Sequence, residues 1–259
     1  MEVTIATALV CGIFGLLVGS FVNVVIWRVP RKESIVRPAS HCPACSAAVR
    51  PYDNVPVLSW ALLRGRCRDC GERIPVRYPL VELACGVLWA GLGARFAGSW
   101  ALPAFLVLGA GLLALSVIDL EHYLLPNRVV YPLGITCAAL LGVAGIADGD
   151  PAVWLRALVA GIVAFVAFFV IHVVAPRGMG FGDVRLSFVL GLALGWLGWG
   201  YVALGLFLGF LYGAVIGAGL IATRLRSRRD HVPFGPFLAA GTLTAALWGQ
   251  SILDWYLHR

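Results

Sequence analysis

The sequence predicts an all-α polytopic membrane protein of about eight transmembrane helices, with one small cysteine-bearing loop domain on the cytoplasmic side. Three observations lead there. Of the 259 residues, 60% are hydrophobic and only 13% charged, about half the charged share of a soluble domain. The apolar residues fall in blocks of roughly 20, the length a helix needs to cross the hydrocarbon core. The net charge of +7 is also clustered: ten of the twenty Lys and Arg lie between Arg28 and Arg77, and four more between Arg224 and Arg229.

The blocks follow in order at residues 4–27, 79–97, 101–119, 129–147, 152–175, 184–197, 200–223 and 234–256. The first is too long for a cleaved signal peptide, lacks a basic leading region and runs straight into arginines. Pro103 and Pro132 fall near the starts of the third and fourth, where a missing N–H is tolerated. No charge separates the sixth from the seventh; "GWLGWG", Gly195 to Gly200, divides them. Basic loops are held on the cytoplasmic side. Loops 28–77, 120–128, 176–183 and 224–232 are then inside, the last two carrying Arg177 and Arg224 to Arg229, and the N-terminus is outside. Merging spans six and seven would throw the 224–229 arginines outside, so the same rule supports the division. This reading of the basic clusters also displaces a nucleic-acid partner. Three GxxxG patterns, at Gly191/Gly195, Gly205/Gly209 and Gly213/Gly217, predict close helix packing in lipid.

Within the first inside loop, Cys42 and Cys45 form one CxxC pair and Cys67 and Cys70 another, with 21 residues between the pairs. Two such pairs suit one tetrahedral zinc ion held by four thiolates, with no position left open for catalysis. Disulfides do not fit a cytoplasmic loop, and a thioredoxin-like redox motif needs only one pair. The loop is too small to fold on its own core, so metal supplies its folding free energy. Gly65 and Gly71 flank the second pair and can take positive φ. His41 reads as a bystander, and Cys11, Cys85 and Cys137 as small core residues. The chain divides into a first helix (1–27), a zinc-binding loop domain (28–78) and a membrane-embedded core (79–259).

Four of the thirteen carboxylates lie at inside span ends: Glu82, Asp119, Glu121 and Asp183. Carboxylates at membrane depth are costly and point to a site. Asp119 closes the third span and Asp183 opens the sixth, so both sit at similar depth. Two carboxylates sharing a proton can activate water against a peptide carbonyl, one as base and the other as acid. The alternative for each is an ordinary solvated boundary residue. Glu121 is the wetter of the four, while Glu82 can snorkel, pair with Arg77 or line the site. "GMGFGD" is no phosphate loop: a helix precedes it, no Lys follows, and its Asp repels phosphate.

In order along the chain stand "GSFVNVVIWRVP", the paired CxxC loop, "RYPLVEL", "IDLEHYLLPN", "GMGFGDVRL" and "PFGPFLAAG". Together they resemble the bacterial prepilin peptidases (type 4 prepilin leader peptidases), a family of membrane aspartic proteases. The resemblance implies that Asp119 and Asp183 are the catalytic pair, that Gly180 and Gly182 belong to a GxGD active-site loop, and that the four cysteines are the zinc positions. It further implies prepilin or pseudopilin precursors as substrates, cut after a glycine before an apolar helix. Members with the cysteine loop usually methylate the new N-terminus with S-adenosylmethionine. Two departures stand out, Arg185 where Lys is common and Asn127 where many members have Asp. The setting implied is the inner membrane, with lipids as neighbours. Two rival readings are a proton- or cation-coupled transporter using the carboxylates as a relay, and a non-catalytic zinc-bearing assembly protein.

Overall fold

Each apolar block becomes one helix in the computed structural model, which describes residues 2–176, 179–223 and 232–257. In chain order these are α1 (Glu2–Arg28), the short α2 (Leu58–Leu62), α3 (Arg77–Arg95), α4 (Leu102–His122), α5 (Asn127–Ala147), α6 (Pro151–Val174), α7 (Phe181–Leu197), α8 (Trp199–Ala222) and α9 (Gly235–Leu257). No strand forms among the described residues; two isolated bridges, His41 with Ala48 and Arg66 with Arg73, lie in the cysteine loop. Arg177, Gly178 and Arg224 to Arg229, on which part of the topology reading rests, lie outside the described residues.

Local chemistry sets the ends. Pro103 sits in the first turn of α4, as expected. Pro132 does not share that position: it lies inside α5, where its missing N–H forgoes the bond to the Arg128 carbonyl. The charge-free division between spans six and seven falls at Gly198, whose φ of 139° and ψ of 164° form a backbone state open essentially to glycine alone. Five helices, α1, α4, α5, α6 and α8, are long and apolar enough to cross a membrane. By length, α7 reaches only about 26 Å against a core of about 30 Å. α3 carries Arg77, Glu82 and Arg95, and α9 mixes Thr242, Thr244, Gln250 and Asp254 into its apolar run. Composition therefore supports five crossings directly, not eight.

The chain forms two compact units, residues 1–97 and 98–259. In the first, α3 lies along α1 on a glycine seam: a Cβ at Gly15 would stand 2.8 Å from the Cys85 carbonyl, and one at Gly19 2.7 Å from Glu82 Cα. Lipid tails are as apolar as leucine, so helix association depends on such close packing. "GLLVG", Gly15 to Gly19, is thus a further packing motif of the GxxxG kind. Asn23 Nδ2 donates to the Tyr78 carbonyl at 3.0 Å. Buried Glu82 accepts the Val57 N–H at 2.7 Å, which holds the turn before α2 onto α3. Cys11, Cys85 and Cys137 are buried and free, as expected.

In the second unit α6 packs on α7, α8 on α9, and α4 on both α5 and α9. Gly191 and Gly195 meet the α6 backbone, where an added Cβ would come within 2.7 Å of the Ala160 carbonyl and 2.4 Å of Ala160 Cβ respectively. A Cβ on Gly205 would stand 2.5 Å from Leu194 Cδ1 of α7 and 3.2 Å from Ala245 Cβ of α9, but nothing lies within 4 Å of Gly217, so only part of the GxxxG expectation is met. Arg156, from α6, closes the C-terminus of α7 by donating to the Gly195 carbonyl at 2.9 Å and the Trp196 carbonyl at 2.6 Å. A cation there satisfies orphan carbonyls and complements the helix dipole.

Candidate active site and metal centre

Asp119 lies one turn before the end of α4. Tyr123 caps that helix in the left-handed region, with φ 55° and ψ 39°, its N–H bonded to the Asp119 carbonyl at 2.9 Å. Asp183 is the third residue of α7. Its Oδ2 reaches back to accept the Gly180 N–H at 3.2 Å, the carboxylate half of a capping box. Both side chains are buried, with 5% and 7% of their surfaces exposed, and the charge of Asp119 acts on Asp183. The fold thus brings together two carboxylates 64 residues apart in sequence.

Glycines make the approach possible. The N–H of Gly235, the first residue of α9, donates to Asp119 Oδ2 at 3.0 Å, and a Cβ there would stand 2.8 Å from that oxygen. Leu125 fills the space between the glycines: a Cβ on Gly182 would lie 3.1 Å from Leu125 Cβ, and one on Gly235 3.1 Å from Leu125 Cδ2. Gly180 needs no special backbone freedom, since its φ of −70° and ψ of 147° are open to any residue. Gly235 and Leu125, from "PFGPFLAAG" and "IDLEHYLLPN", join Gly180 and Gly182 here without any signal in the sequence that marks them out. Arg185 and Asn127, the two departures from the family pattern, meet: Arg185 Nη1 donates to Asn127 Oδ1, joining the α5 and α7 edges of the site. Glu121 Oε2 lies 3.9 Å from His122 Nε2.

In the first unit the sulfurs of Cys42, Cys45, Cys67 and Cys70 all lie within 4.8 Å of one another. The Cys42 and Cys70 sulfurs are 3.8 Å apart; tetrahedral zinc with bonds of about 2.3 Å separates its sulfurs by about 3.8 Å. His41 stands outside the cluster, its Nδ1 3.0 Å from the Ala39 carbonyl. The two knuckles share one backbone pattern. Cys42 N–H donates to the Ala47 carbonyl at 2.9 Å, and Cys67 N–H to the Glu72 carbonyl at 2.8 Å. The residue after each second cysteine turns left-handed, Ser46 at φ 61° and Gly71 at φ 74°. Gly65, at φ 67°, lets the chain pass under Trp60.

The N–H groups of Cys45 and Ala44 bring the Cys42 thiol down to about 7 despite desolvation. At Cys70 the Glu72 N–H is outweighed by desolvation and the neighbouring sulfurs, which push the thiol up to about 12. Four thiolates this close need a cation between them, and the donor set fits zinc. A double brace ties the 50–53 turn to the second knuckle: Arg68 donates to both oxygens of Asp53, at 2.6 and 2.8 Å, and Arg50 meets Asp69 at 3.2 Å. The Arg68 hydrogen bonds hold the Asp53 carboxyl below its usual range. The Asp53–Arg68 pair is therefore intact at neutral pH and is lost as pH falls through that lowered value.

Residues 13–96 match the bacterial peptidase A24 N-terminal domain, and residues 106–220 match the type IV leader peptidase family. A prepilin leader peptidase/N-methyltransferase of Stutzerimonas stutzeri is 36% identical over 95% of this chain and 92% of its own. The Bacillus subtilis protein of the same name is 35% identical over 95% and 96%. The chain belongs to the type IV leader peptidase family. A Myxococcus xanthus relative of that name, 42% identical, covers 71% of this chain and 55% of its own. No solved structure matches. The two family matches lie one in each compact unit, so the cysteine cluster falls in the N-terminal match and the aspartate pair in the leader peptidase match. The transporter reading gains no support from this family.

Proposed function

We propose that this protein removes the leader from prepilin or pseudopilin precursors and N-methylates the residue exposed by the cut. The names of its full-length relatives support this reading. Asp119 and Asp183 are the catalytic pair, sharing one proton. The ionised carboxylate takes a proton from water as the water attacks the scissile carbonyl, and the protonated one donates towards the departing amine. Gly180 and Gly182 form the active-site loop, and Gly235 fixes Asp119. The single observation that carries the assignment is the burial of both carboxylates in one unit with Gly235 N–H on Asp119 and the Gly182–Leu125 contact beside Asp183. Zinc on Cys42, Cys45, Cys67 and Cys70 has a structural role. S-adenosylmethionine, when bound, supplies an electrophilic methyl group.

The division of labour follows the sequence reading: a first helix at 1–27, a zinc-binding domain at 28–78 and an aspartic peptidase core at 79–259. The basic loop places the zinc domain and the aspartates on the cytoplasmic side of the inner membrane, with α3, α7 and α9 as further crossings. A phosphatase reporter that works only outside the cytoplasm, fused within loop 28–77, stays inactive if so; activity there would reverse the topology. For the chemistry, the purified protein is incubated in detergent with a prepilin, with and without S-adenosylmethionine, and the new N-terminus is weighed by mass spectrometry. Asp119→Asn and Asp183→Asn each abolish leader removal while remaining in the membrane. Cleavage near the normal rate by either variant sinks the dyad.

A further inference from the structure

Between Arg156 and its C-terminus, α6 carries one ionisable side chain, His172, after an unbroken apolar run from Ala157 to Ile171. An ionisable group at membrane depth is costly and needs a partner. Its partner is the loop that leads into α7: His172 Nδ1 stands 2.8 Å from the Met179 carbonyl oxygen. A carbonyl only accepts, so Nδ1 carries the proton and donates. Met179 is buried, which leaves that oxygen little water to bond instead.

The oxygen held by His172 and the N–H held by Asp183 belong to one peptide group, Met179–Gly180. Gly180 N–H donates to Asp183 Oδ2 at 3.2 Å. A trans peptide is planar, with its C=O and N–H pointing opposite ways, so fixing the oxygen fixes the direction of the N–H. A hydrogen bond accepted at the oxygen also polarises the group and strengthens its N–H as a donor. The same segment is held further along. Asp183 N–H donates to the Gly180 carbonyl at 3.1 Å. The Phe181 ring lies 5.5 Å from the His172 ring and 6.5 Å from that of Phe169, both on α6.

We infer that His172 is a positioning residue for Asp183. Through the Met179–Gly180 peptide it aims the Gly180 N–H at the carboxylate, and so sets where that carboxylate stands. Asp119 is then held from α9 and Asp183 from α6. The inference rests on the peptidase half of the proposed function. Losing a bond that aims a reacting group slows turnover and leaves substrate binding alone.

Two variants separate the hydrogen bond from the ring. His172→Phe keeps an aromatic ring against Phe181 and loses the donor. His172→Asn loses the ring and keeps an N–H at the position of Nδ1. With full-length, metal-loaded protein in detergent and a prepilin as substrate, His172→Phe lowers kcat about ten- to a hundred-fold with KM within about twofold. His172→Asn recovers most of that loss. The bond also has a readout that needs no turnover. The sequence contains two methionines, Met1 and Met179, and only Met179 precedes a glycine. Protein grown with carbonyl carbon-13 methionine and nitrogen-15 glycine therefore carries a single doubly labelled peptide, which gives one carbonyl-to-amide correlation by NMR. His172→Phe moves its carbonyl signal upfield, as loss of an accepted hydrogen bond does, and His172→Asn leaves it near the wild-type position. A signal that His172→Phe does not move overturns the inference. Normal kcat in His172→Phe, or equal losses in both variants, reduces His172 to packing and also overturns it, while the cleaving wild type leaves the peptidase reading standing. A wild type that removes no leader overturns that reading and this inference together.

Discussion

A buried carboxylate has to be held by donors, and at Asp119 the donor is a backbone N–H 116 residues further on. Gly235→Ala would put a methyl group 2.8 Å from Asp119 Oδ2, closer than carbon and oxygen tolerate, so the carboxylate must move. A displacement of about 1 Å at a catalytic group costs on the order of 10²-fold in rate. The expected result is a loss of that size in kcat/KM for prepilin cleavage, with little change in melting temperature. Gly180→Ala is the contrasting case. Its backbone angles are ordinary and its Cβ would sit 3.3 Å from Asp183 Oδ2, so the same assay shows a loss below about tenfold by the same geometric argument. Gly182→Val crowds Leu125 at 3.1 Å and impairs cleavage more than Gly180→Ala does. The two aspartates were legible in the sequence because a carboxylate in an apolar context is chemically conspicuous. Gly235 was not, because its role depends on which helix end its N–H faces, and that is a tertiary fact. Arg185 and Asn127 illustrate the same limit: each was visible as a departure, while their contact required the packing of α7 beside α5.

Among the helices, GxxxG patterns identify backbones able to approach one another without saying which do. Gly195 and Gly217 end two such patterns and have opposite surroundings. A Cβ at Gly195 would lie 2.4 Å from Ala160 Cβ and 3.1 Å from Ala157 Cα, whereas Gly217 has nothing within 4 Å. Gly195→Val therefore forces α6 and α7 apart and destabilises the unit by about 1–3 kcal/mol, the usual range for overpacking. Gly217→Ala meets no obstacle and removes a flexible residue from a helix interior, gaining about 0.5–1 kcal/mol. Unfolding in mixed detergent micelles, followed by circular dichroism, reads both; equal effects at the two sites would mean that the α6–α7 seam is not a packing contact. The limits of the long helices were legible from hydropathy and from Pro and Gly, to within about three residues at each end by comparison of the blocks with the helices, while the short α2 was not, and composition supports five of the long helices as crossings. Pro132 was misplaced because its position relative to the first turn depends on a helix start set by Pro126 and Asn127.

At the scale of the whole molecule, the long helices and the cysteine loop gain stability from different sources. Residues 98–259 carry long packed helices, among them α4 with fully buried Leu108, Leu112, Leu115 and Ile118. The loop from 28 to 77 has no comparable core. Its buried residues are Arg28, Val29, Pro56, Ser59 and Gly65, too little apolar surface to offset the conformational entropy of some fifty residues at about 1–2 kcal/mol each. The Arg50–Asp69 pair is on the surface, where an ion pair contributes little, and the bidentate Asp53–Arg68 pair is half-exposed on its arginine side and cannot by itself replace a core. What remains is the metal, and structural zinc supplies folding free energy outright to small cysteine-ligated domains. Stripping it with a strong chelator therefore opens the knuckles while the long helices persist. Trypsin reports this directly, because Arg64, Arg66, Arg68 and Arg73 lie in and around the second knuckle. The metal-loaded protein is cut slowly at these positions and the stripped protein rapidly. Helical circular dichroism falls by no more than the small share of α2 and the 51–54 turn, and returning zinc restores protection. Cys45→Ser reproduces the sensitive state even with zinc present. A cleavage pattern unchanged by chelation would mean that the loop folds on side-chain packing alone, and that its four cysteines serve some purpose other than its stability.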